Sequence, residues 1–219
     1  MKTFTLLVAI LVLGILAIKL VIRPWLRRNR TLQNMSMCNH FLLPTLPSHT
    51  DQVKNVTSQL KTHKVYQVNL HDLSCTCSRW KQYRGLFPKR DIHRLCRHLR
   101  RELIEQKVMH LVDDLSQAII HDRIRDRCYK RMTICGSEAA LGYHPRNEIV
   151  RIFARRAAEG DPPEGPFTGA YHKFVLNVQQ ESWIYGEAPP CETETIAHVS
   201  QFLNQIHIPK KGEVEQEGT

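Results

Sequence analysis

The sequence predicts an α+β protein in three parts: an N-terminal single transmembrane helix, a small ββα-like module with a long following helix, and a C-terminal antiparallel strand unit closed by a helix. Three observations lead to this fold class. Residues 3–22 are almost continuously apolar, residues 65–70 alternate as a half-buried strand does, and apolar side chains recur at helical spacing between residues 99 and 119. With 219 residues, 42% of them hydrophobic, the chain can bury a core.

The apolar run at residues 3–22 predicts a membrane anchor. About 20 helical residues at ~1.5 Å each match a hydrocarbon core of roughly 30 Å. A cleaved signal peptide is the alternative, but the basic segment 23–30 follows the run in place of a small-residue cleavage pattern. The cations that follow the run predict, by the positive-inside rule, a single-pass protein of the cell membrane with its C-terminal domain in the cytoplasm.

Charge and cysteine content narrow the class of protein further. The formal net charge of +10 favours polyanionic partners, either nucleic acid or an acidic membrane surface. Seven cysteines cannot all pair within one chain, which favours thiols that are kept reduced.

The predicted boundaries are residues 1–30 for the anchor with its basic flank, 31–63 for a linker and short helix, 64–125 for the module and its helix, 126–208 for a small α+β unit, and 209–219 for a polar tail.

The elements beyond the anchor follow in chain order. A capping residue at position 50 or 51 predicts a short helix with Val53, Val56 and Leu60 on its apolar face. The alternating segment 65–70 predicts a strand, and the apolar pattern beyond residue 99 predicts one long helix, or two helices broken near His110. The rest of the sequence predicts strands at 128–135, 148–155, 171–178 and 182–185, and a closing helix at 192–206.

Two ligand pairs carry the chemistry of the middle of the chain. Cys75-x-Cys77 and Cys96-x-His98 together supply three thiolates and an imidazole, a complete set for a tetrahedral zinc site. In a flat strand the first two thiols would lie about 7 Å apart, so the chain should turn there. In a regular helix the second pair would point apart, so it should lie at a helix start. Four protein ligands leave no open position on the metal, which favours binding over catalysis.

This pattern resembles the SWIM-type zinc finger, C-x-C followed by a variable spacer and C-x-H. The resemblance covers roughly residues 64–105 and includes the strand before the first pair and the helix after the second. It departs from the family after Cys77, where Ser78 and Arg79 replace the frequent Pro-Asp, without touching a ligand. The resemblance implies a zinc-binding module for DNA or protein contacts, with Zn²⁺ on Cys75, Cys77, Cys96 and His98.

Other cysteines and histidines compete with this assignment. His93 is the rival ligand, three residues before Cys96, but its use would break the C-x-H form. Cys38-x-His40 is a further C-x-H that has no partner pair nearby. The remaining cysteines are interpreted as buried or partly buried thiols; they are Cys128, Cys135 and Cys191.

The segment that joins and follows the two pairs is strongly basic, with one acid and three interleaved aromatic rings. A surface that contacts phosphates and stacks bases is one interpretation. A solvated face or a protein contact is the second, and attraction to anionic lipid near a membrane is the third. The rings are Trp80, Tyr83 and Phe87, and the predicted nucleic-acid-binding cations are Arg79, Lys81, Arg84, Lys89, Arg90, Arg94, Arg97, Arg100 and Arg101.

Catalytic motifs do not emerge from the sequence. It contains no phosphate-binding Gly-rich loop with Lys-Ser/Thr, no G-x-S-x-G and no H-E-x-x-H, and His144 lies in a predicted loop at 142–146. The sequence therefore predicts a membrane-anchored cytoplasmic zinc-binding module that binds nucleic acid or a protein and is not an enzyme. The alternative is a membrane-associated scaffold in which zinc is purely structural and the C-terminal unit recognises the partner.

Overall fold

A computed structural model describes residues 22, 41–47, 52–58, 64–122, 129–144 and 147–206. These residues form a mixed α+β structure with two antiparallel sheets. The strands are β1 Lys54–Thr57, β2 Val65–Asn69, β3 Ser74–Cys75, β4 Tyr129–Ile134, β5 Ser137–His144, β6 Ile149–Arg155, β7 Tyr171–Asn177 and β8 Ser182–Ile184. The α-helices are α1 Ser78–Gln82, α2 Arg97–Glu105, α3 Asp114–His121 and α4 Glu192–Gln205.

Each sheet is a meander of sequential strands. The first sheet has the order β1-β2-β3, and its register places Val68 opposite Cys75. The second sheet has the order β4-β5-β6-β7-β8, and its register places Tyr129 opposite Gly142. A Cβ at Gly142 would lie 2.5 Å from the Tyr129 ring, so the glycine leaves the space that this fully buried ring occupies.

The five-stranded sheet is covered on both faces. Tyr129, Ala140 and Phe153 face the core that the small sheet, α2 and α3 build. The alternate residues, among them Leu141 and Ile152, belong to a second core that α4 closes. Adjacent residues of one strand therefore contribute to different cores, as the period of two in a β-strand requires.

The segment 41–47, within the predicted linker, is part of the first core. Phe41, Leu43 and Leu46 are buried there. Backbone hydrogen bonds fix the segment against the stretch that precedes the second ligand pair: Leu43 N–H donates to the Arg90 carbonyl at 2.9 Å, and Ile92 N–H donates to the Phe41 carbonyl at 2.9 Å. Part of the core of the module is therefore formed by residues about 30 positions before Cys75.

The membrane part of the predicted fold class is wrong. Among the described residues, no helix combines the length and the apolar character that crossing a bilayer requires. The predicted anchor at residues 3–22 lies outside the described residues, apart from Ile22. The same finding corrects the predicted single-pass localisation in the cell membrane, which depended on that helix.

Three further predictions about the elements are corrected. The segment predicted as a short helix forms strand β1 instead, since pairing with β2 and burial of Val56 decide its conformation while Val53 stays exposed. Of the two alternatives beyond residue 99, the single long helix is wrong and the two helices broken near His110 agree with the structure. Helices α2 and α3 are separate because Lys107 takes a left-handed backbone at φ 56° and Asp113 caps a new helix by accepting from Ser116 N–H.

The sequence pattern does not predict strand β5, whose residues 142–144 fall in the predicted loop. The remainder of that loop, residues 145–146, lies outside the described residues. Ala139, Ala140 and Gly142 are weak strand formers, and β5 forms because it pairs on both sides, with β4 and with β6. The other predicted strands and the closing helix agree with the structure to within a residue or so.

Candidate metal centre

The first ligand pair lies where the small sheet gives way to a helix. Strand β3 ends at Cys75, and Cys77 is the N-cap residue of α1. Between them the chain turns, so that Cys77 N–H points at Cys75 Sγ at 3.4 Å. The turn brings together two thiols that a continuous strand would hold apart.

The second ligand pair lies at the start of α2. Cys96 is the N-cap residue, with an extended backbone, and His98 is in the first turn of the helix. This change of backbone conformation between the two residues lets both side chains face the first pair. His98 Nδ1 lies 3.7 Å from Cys75 Sγ and 3.8 Å from Cys96 Sγ.

The four side chains form a compact, buried group of donors. The Sγ atoms of Cys75, Cys77 and Cys96 and a ring nitrogen of His98 all lie within 4.8 Å of one another, and all four residues are buried. A tetrahedral zinc ion with bonds of about 2.3 Å to sulfur and about 2.0 Å to nitrogen holds its donors roughly 3.5–3.8 Å apart. The donor set and its spacing therefore fit a metal ion, and zinc in particular.

Protons are distributed unequally among the three thiols. Hydrogen bonding to Cys75 and Cys96 lowers the pKa of the Cys77 thiol, and the same contact with Cys77, together with burial, raises the pKa of Cys75. The pKa of Cys96 is also raised: its hydrogen bond with Cys75 acts in the lowering direction, but the bond with Cys77 and burial outweigh it. One thiolate is thus favoured in the group, and a bound cation would stabilise the second and third.

Two neighbouring side chains contact the imidazole of His98. The Tyr66 ring packs against it with centroids 4.5 Å apart. Arg97 Nε lies 3.3 Å from His98 Nε2 on the side away from the thiols. When Nδ1 binds a metal, Nε2 carries the ring hydrogen and cannot accept from a guanidinium. Metal binding through Nδ1 therefore requires Arg97 to turn away.

The rival ligand His93 is occupied elsewhere. Its Nδ1 lies 2.6 Å from Asp91 Oδ1, and its Nε2 accepts the Tyr129 N–H at 2.9 Å. Both ring nitrogens are hydrogen-bonded, and His93 is not part of the donor group. The other rival pair, Cys38 and His40, lies outside the described residues.

Two of the predicted nucleic-acid-binding cations bind groups of the module itself: Arg94 is buried, and Arg84 is half-buried. Arg84 donates to the His93 carbonyl at 2.7 Å, and burial lowers the pKa of its guanidinium. Arg94 lies over the Trp80 ring at 5.0 Å from its centroid, and burial lowers its pKa as well. Both arginines hold the module together and are poorly placed to meet a phosphate.

The remaining predicted cations differ in exposure. Lys89 lies 3.3 Å from Asp72, and Arg101 lies 3.2 Å from Glu105, so both carry an ion pair. Among the predicted stacking rings, Phe87 is buried against His93 with centroids 4.8 Å apart, and Trp80 is half-buried. The exposed cations are Arg79, Lys81, Lys89 and Arg97, and the half-buried ones are Arg90, Arg100 and Arg101.

Two of the C-terminal cysteines form a disulfide, so their interpretation as thiols is wrong. Cys135 and Cys191 are joined by a disulfide between the β4–β5 turn and the start of α4. Their separation of 56 residues follows no ligand spacing, so the sequence offers no local signal for the pair. Glu194 lies beside them and completes a second group of donor atoms within 4.8 Å of one another. Cys128 lies outside the described residues.

No protein-family model matches the chain, and neither a curated protein nor a solved structure matches it. The donor group is compatible with a zinc finger, while membership of the SWIM family has no support beyond the ligand pattern.

Proposed function

We propose that the chain is a zinc-binding recognition protein: Cys75, Cys77, Cys96 and His98 hold a structural Zn²⁺, and the module around it binds nucleic acid through phosphate contacts. The observation that carries the proposal is the convergence of these four buried donors within 4.8 Å. The proposal includes no catalytic step, because a metal with four protein ligands has no open coordination position.

The zinc part rests on the chemistry of the donors. Thiolate and imidazole ligands in tetrahedral positions select zinc over magnesium or calcium, which prefer oxygen donors. Cys75, Cys77 and Cys96 are buried in the first core, so the ion would join β3 to α1 and α2. Metal binding would then contribute directly to the folding free energy of the module.

The nucleic-acid part rests on the cations that remain exposed. Arg79 and Lys81 lie on α1, directly after the ligand Cys77, and Arg97 directly follows Cys96. The same short elements that hold the metal therefore present positive charge to solvent. A sequence-tolerant phosphate contact needs such charge and no deep pocket.

Zinc binding is tested by the metal content of the full-length protein purified under reducing conditions. We expect Cys96→Ser and His98→Ala to lose the zinc that the wild type holds at this site. His110→Ala is the matched control, since His110 is exposed on the 3₁₀ turn after α2 and lies outside the donor group. Equal zinc in the wild type and in both ligand variants would refute the assignment.

Nucleic-acid binding is tested by titrating labelled single- and double-stranded DNA and RNA at several salt concentrations. We expect Arg79→Glu/Lys81→Glu to weaken binding and to reduce the slope of log affinity against log salt by about 1 per lost contact. Lys130→Glu/Arg156→Glu makes the same change of charge on β4 and directly after β6, and it should have little effect on binding. Affinity that is absent even at low salt would favour recognition of a protein by the C-terminal unit.

A further inference from the structure

We propose a second metal site, open only when the Cys135–Cys191 disulfide is reduced, in which the two thiolates, Glu194 and His198 bind Zn²⁺. The Sγ atoms of Cys135 and Cys191 and a carboxylate oxygen of Glu194 lie within 4.8 Å of one another. His198 follows Glu194 by one helical turn, and its Nε2 lies 3.6 Å from Glu194 Oε1. Two thiolates, a carboxylate and an imidazole are zinc ligands in proteins.

The Glu194 carboxylate lies where it could bind a metal ion held by the two cysteines. Its Oε1 accepts the Cys135 N–H at 3.1 Å, and its Oε2 lies 3.0 Å from Cys135 Sγ. A disulfide sulfur carries no proton, so this second contact is a hydrogen bond only when Cys135 is a thiol. A disulfide needs no carboxylate beside it, whereas a metal site uses one as a ligand.

The backbone already holds the two cysteines where a metal would need them. Their Cα atoms lie 6.5 Å apart, and rotation of the side chains can open the sulfurs to the roughly 3.8 Å that two thiolates on one zinc ion require. Cys191 is the N-cap residue of the 14-residue helix α4, where the positive end of the helix dipole favours a thiolate. Both cysteines have a left-handed backbone, with φ of 47° and 56°, which a non-glycine residue adopts at some energetic cost.

The carboxylate and the imidazole of the site are accessible to a metal ion, whereas Cys135 is buried and Cys191 is half-buried. The side chains of Glu194 and His198 are 45% and 31% exposed. A two-electron reductant of the dithiol class breaks the S–S bond, transfers two electrons and two protons to the sulfurs, and is itself oxidised to a disulfide. Binding of the metal ion then displaces the two thiol protons to solvent.

The test compares zinc bound per full-length chain after reduction with a phosphine, which cleaves the disulfide in water and becomes a phosphine oxide. We expect the reduced wild type to bind one more equivalent than reduced Cys135→Ser/Cys191→Ser. This difference does not depend on the four-ligand site, which both proteins share. The wild type with its disulfide intact should bind the same amount of zinc per chain as the double variant.

A matched pair of glutamate variants isolates the carboxylate. Glu194→Gln should lower the affinity for the additional zinc ion at least about tenfold. Glu192 lies in the same helical turn and is hydrogen-bonded to Trp183, and Glu192→Gln should leave that affinity unchanged. Circular dichroism of each variant checks that α4 remains folded. Equal zinc in the reduced wild type and the cysteine double variant would overturn the proposal, and so would equal affinities in the two glutamate variants.

Discussion

Asp91 and His93 form a buried hydrogen-bonded pair, with 2.6 Å between Asp91 Oδ1 and His93 Nδ1 and with both side chains at most 1% exposed. The other ring nitrogen of His93 accepts the N–H of Tyr129, the first residue of β4. The pair therefore links the metal-binding module to the five-stranded sheet. It also explains why a histidine three residues before Cys96 is not available to the metal.

Breaking this link should destabilise the whole fold. Asp91→Ala removes the acceptor of both the His93 ring and the His93 backbone N–H, and each buried group left unsatisfied costs about 1–3 kcal/mol. Urea unfolding measures the loss. The control is Asp72→Ala, an acid of the same module that is 41% exposed and should change stability by less than about 0.5 kcal/mol. Equal losses in the two variants would contradict a structural role for the pair.

Removal of the metal should loosen the first core as well as the ligand loop. The ligands Cys75, Cys77 and Cys96 share one buried cluster with Tyr129 and Phe153 of the sheet. A ligand present at about 1,000 times its dissociation constant stabilises the native state by about 4 kcal/mol. We expect a chelator to lower the melting temperature of the wild type and to leave that of His98→Ala unchanged. A chelator effect of the same size in both proteins would show that the metal acts elsewhere.

Metal affinity should rise with pH in a way that the pKa shifts specify. The pKa values of Cys75 and Cys96 are raised, so both are protonated near neutral pH without metal, whereas the lowered pKa of Cys77 favours its thiolate. Zinc must then displace two protons, and its apparent affinity should increase about 100-fold per pH unit below the thiol pKa values. Competition with a chelator at two pH values measures this slope. Cys75→Ser should reduce the displacement to one proton; an unchanged slope would refute this distribution of protons.

Gly142 should be intolerant of a side chain. A Cβ there would lie 2.5 Å from the Tyr129 ring, and overpacking of this kind costs about 1–3 kcal/mol. We expect Gly142→Ala to lower the free energy of unfolding by that amount. In the double variant with Tyr129→Leu the effect of the alanine should shrink, since the ring it meets is gone. Strictly additive losses in this double-mutant cycle would place the strain elsewhere.

The parts of the structure that follow from local chemistry were predictable from the sequence. The turn at Cys75–Cys77 and the helix start at Cys96–His98 follow from the way that four ligands must surround one ion. What sequence reasoning missed depends on distant partners. Strand β5 exists because β4 and β6 flank it, and Arg84 turns toward the module because it donates a hydrogen bond to the carbonyl of His93.

The hydrogen bond between His93 and Tyr129 sets an order of events during synthesis. The four candidate metal ligands are synthesised before Tyr129, which follows His93 by 36 residues. Until then, the acceptor nitrogen of His93 lacks its donor, and the first core lacks the face that Tyr129 and Phe153 provide. With zinc bound at the proposed site, a nascent chain would therefore still lack one face of its first core until the five-stranded sheet is synthesised and docks.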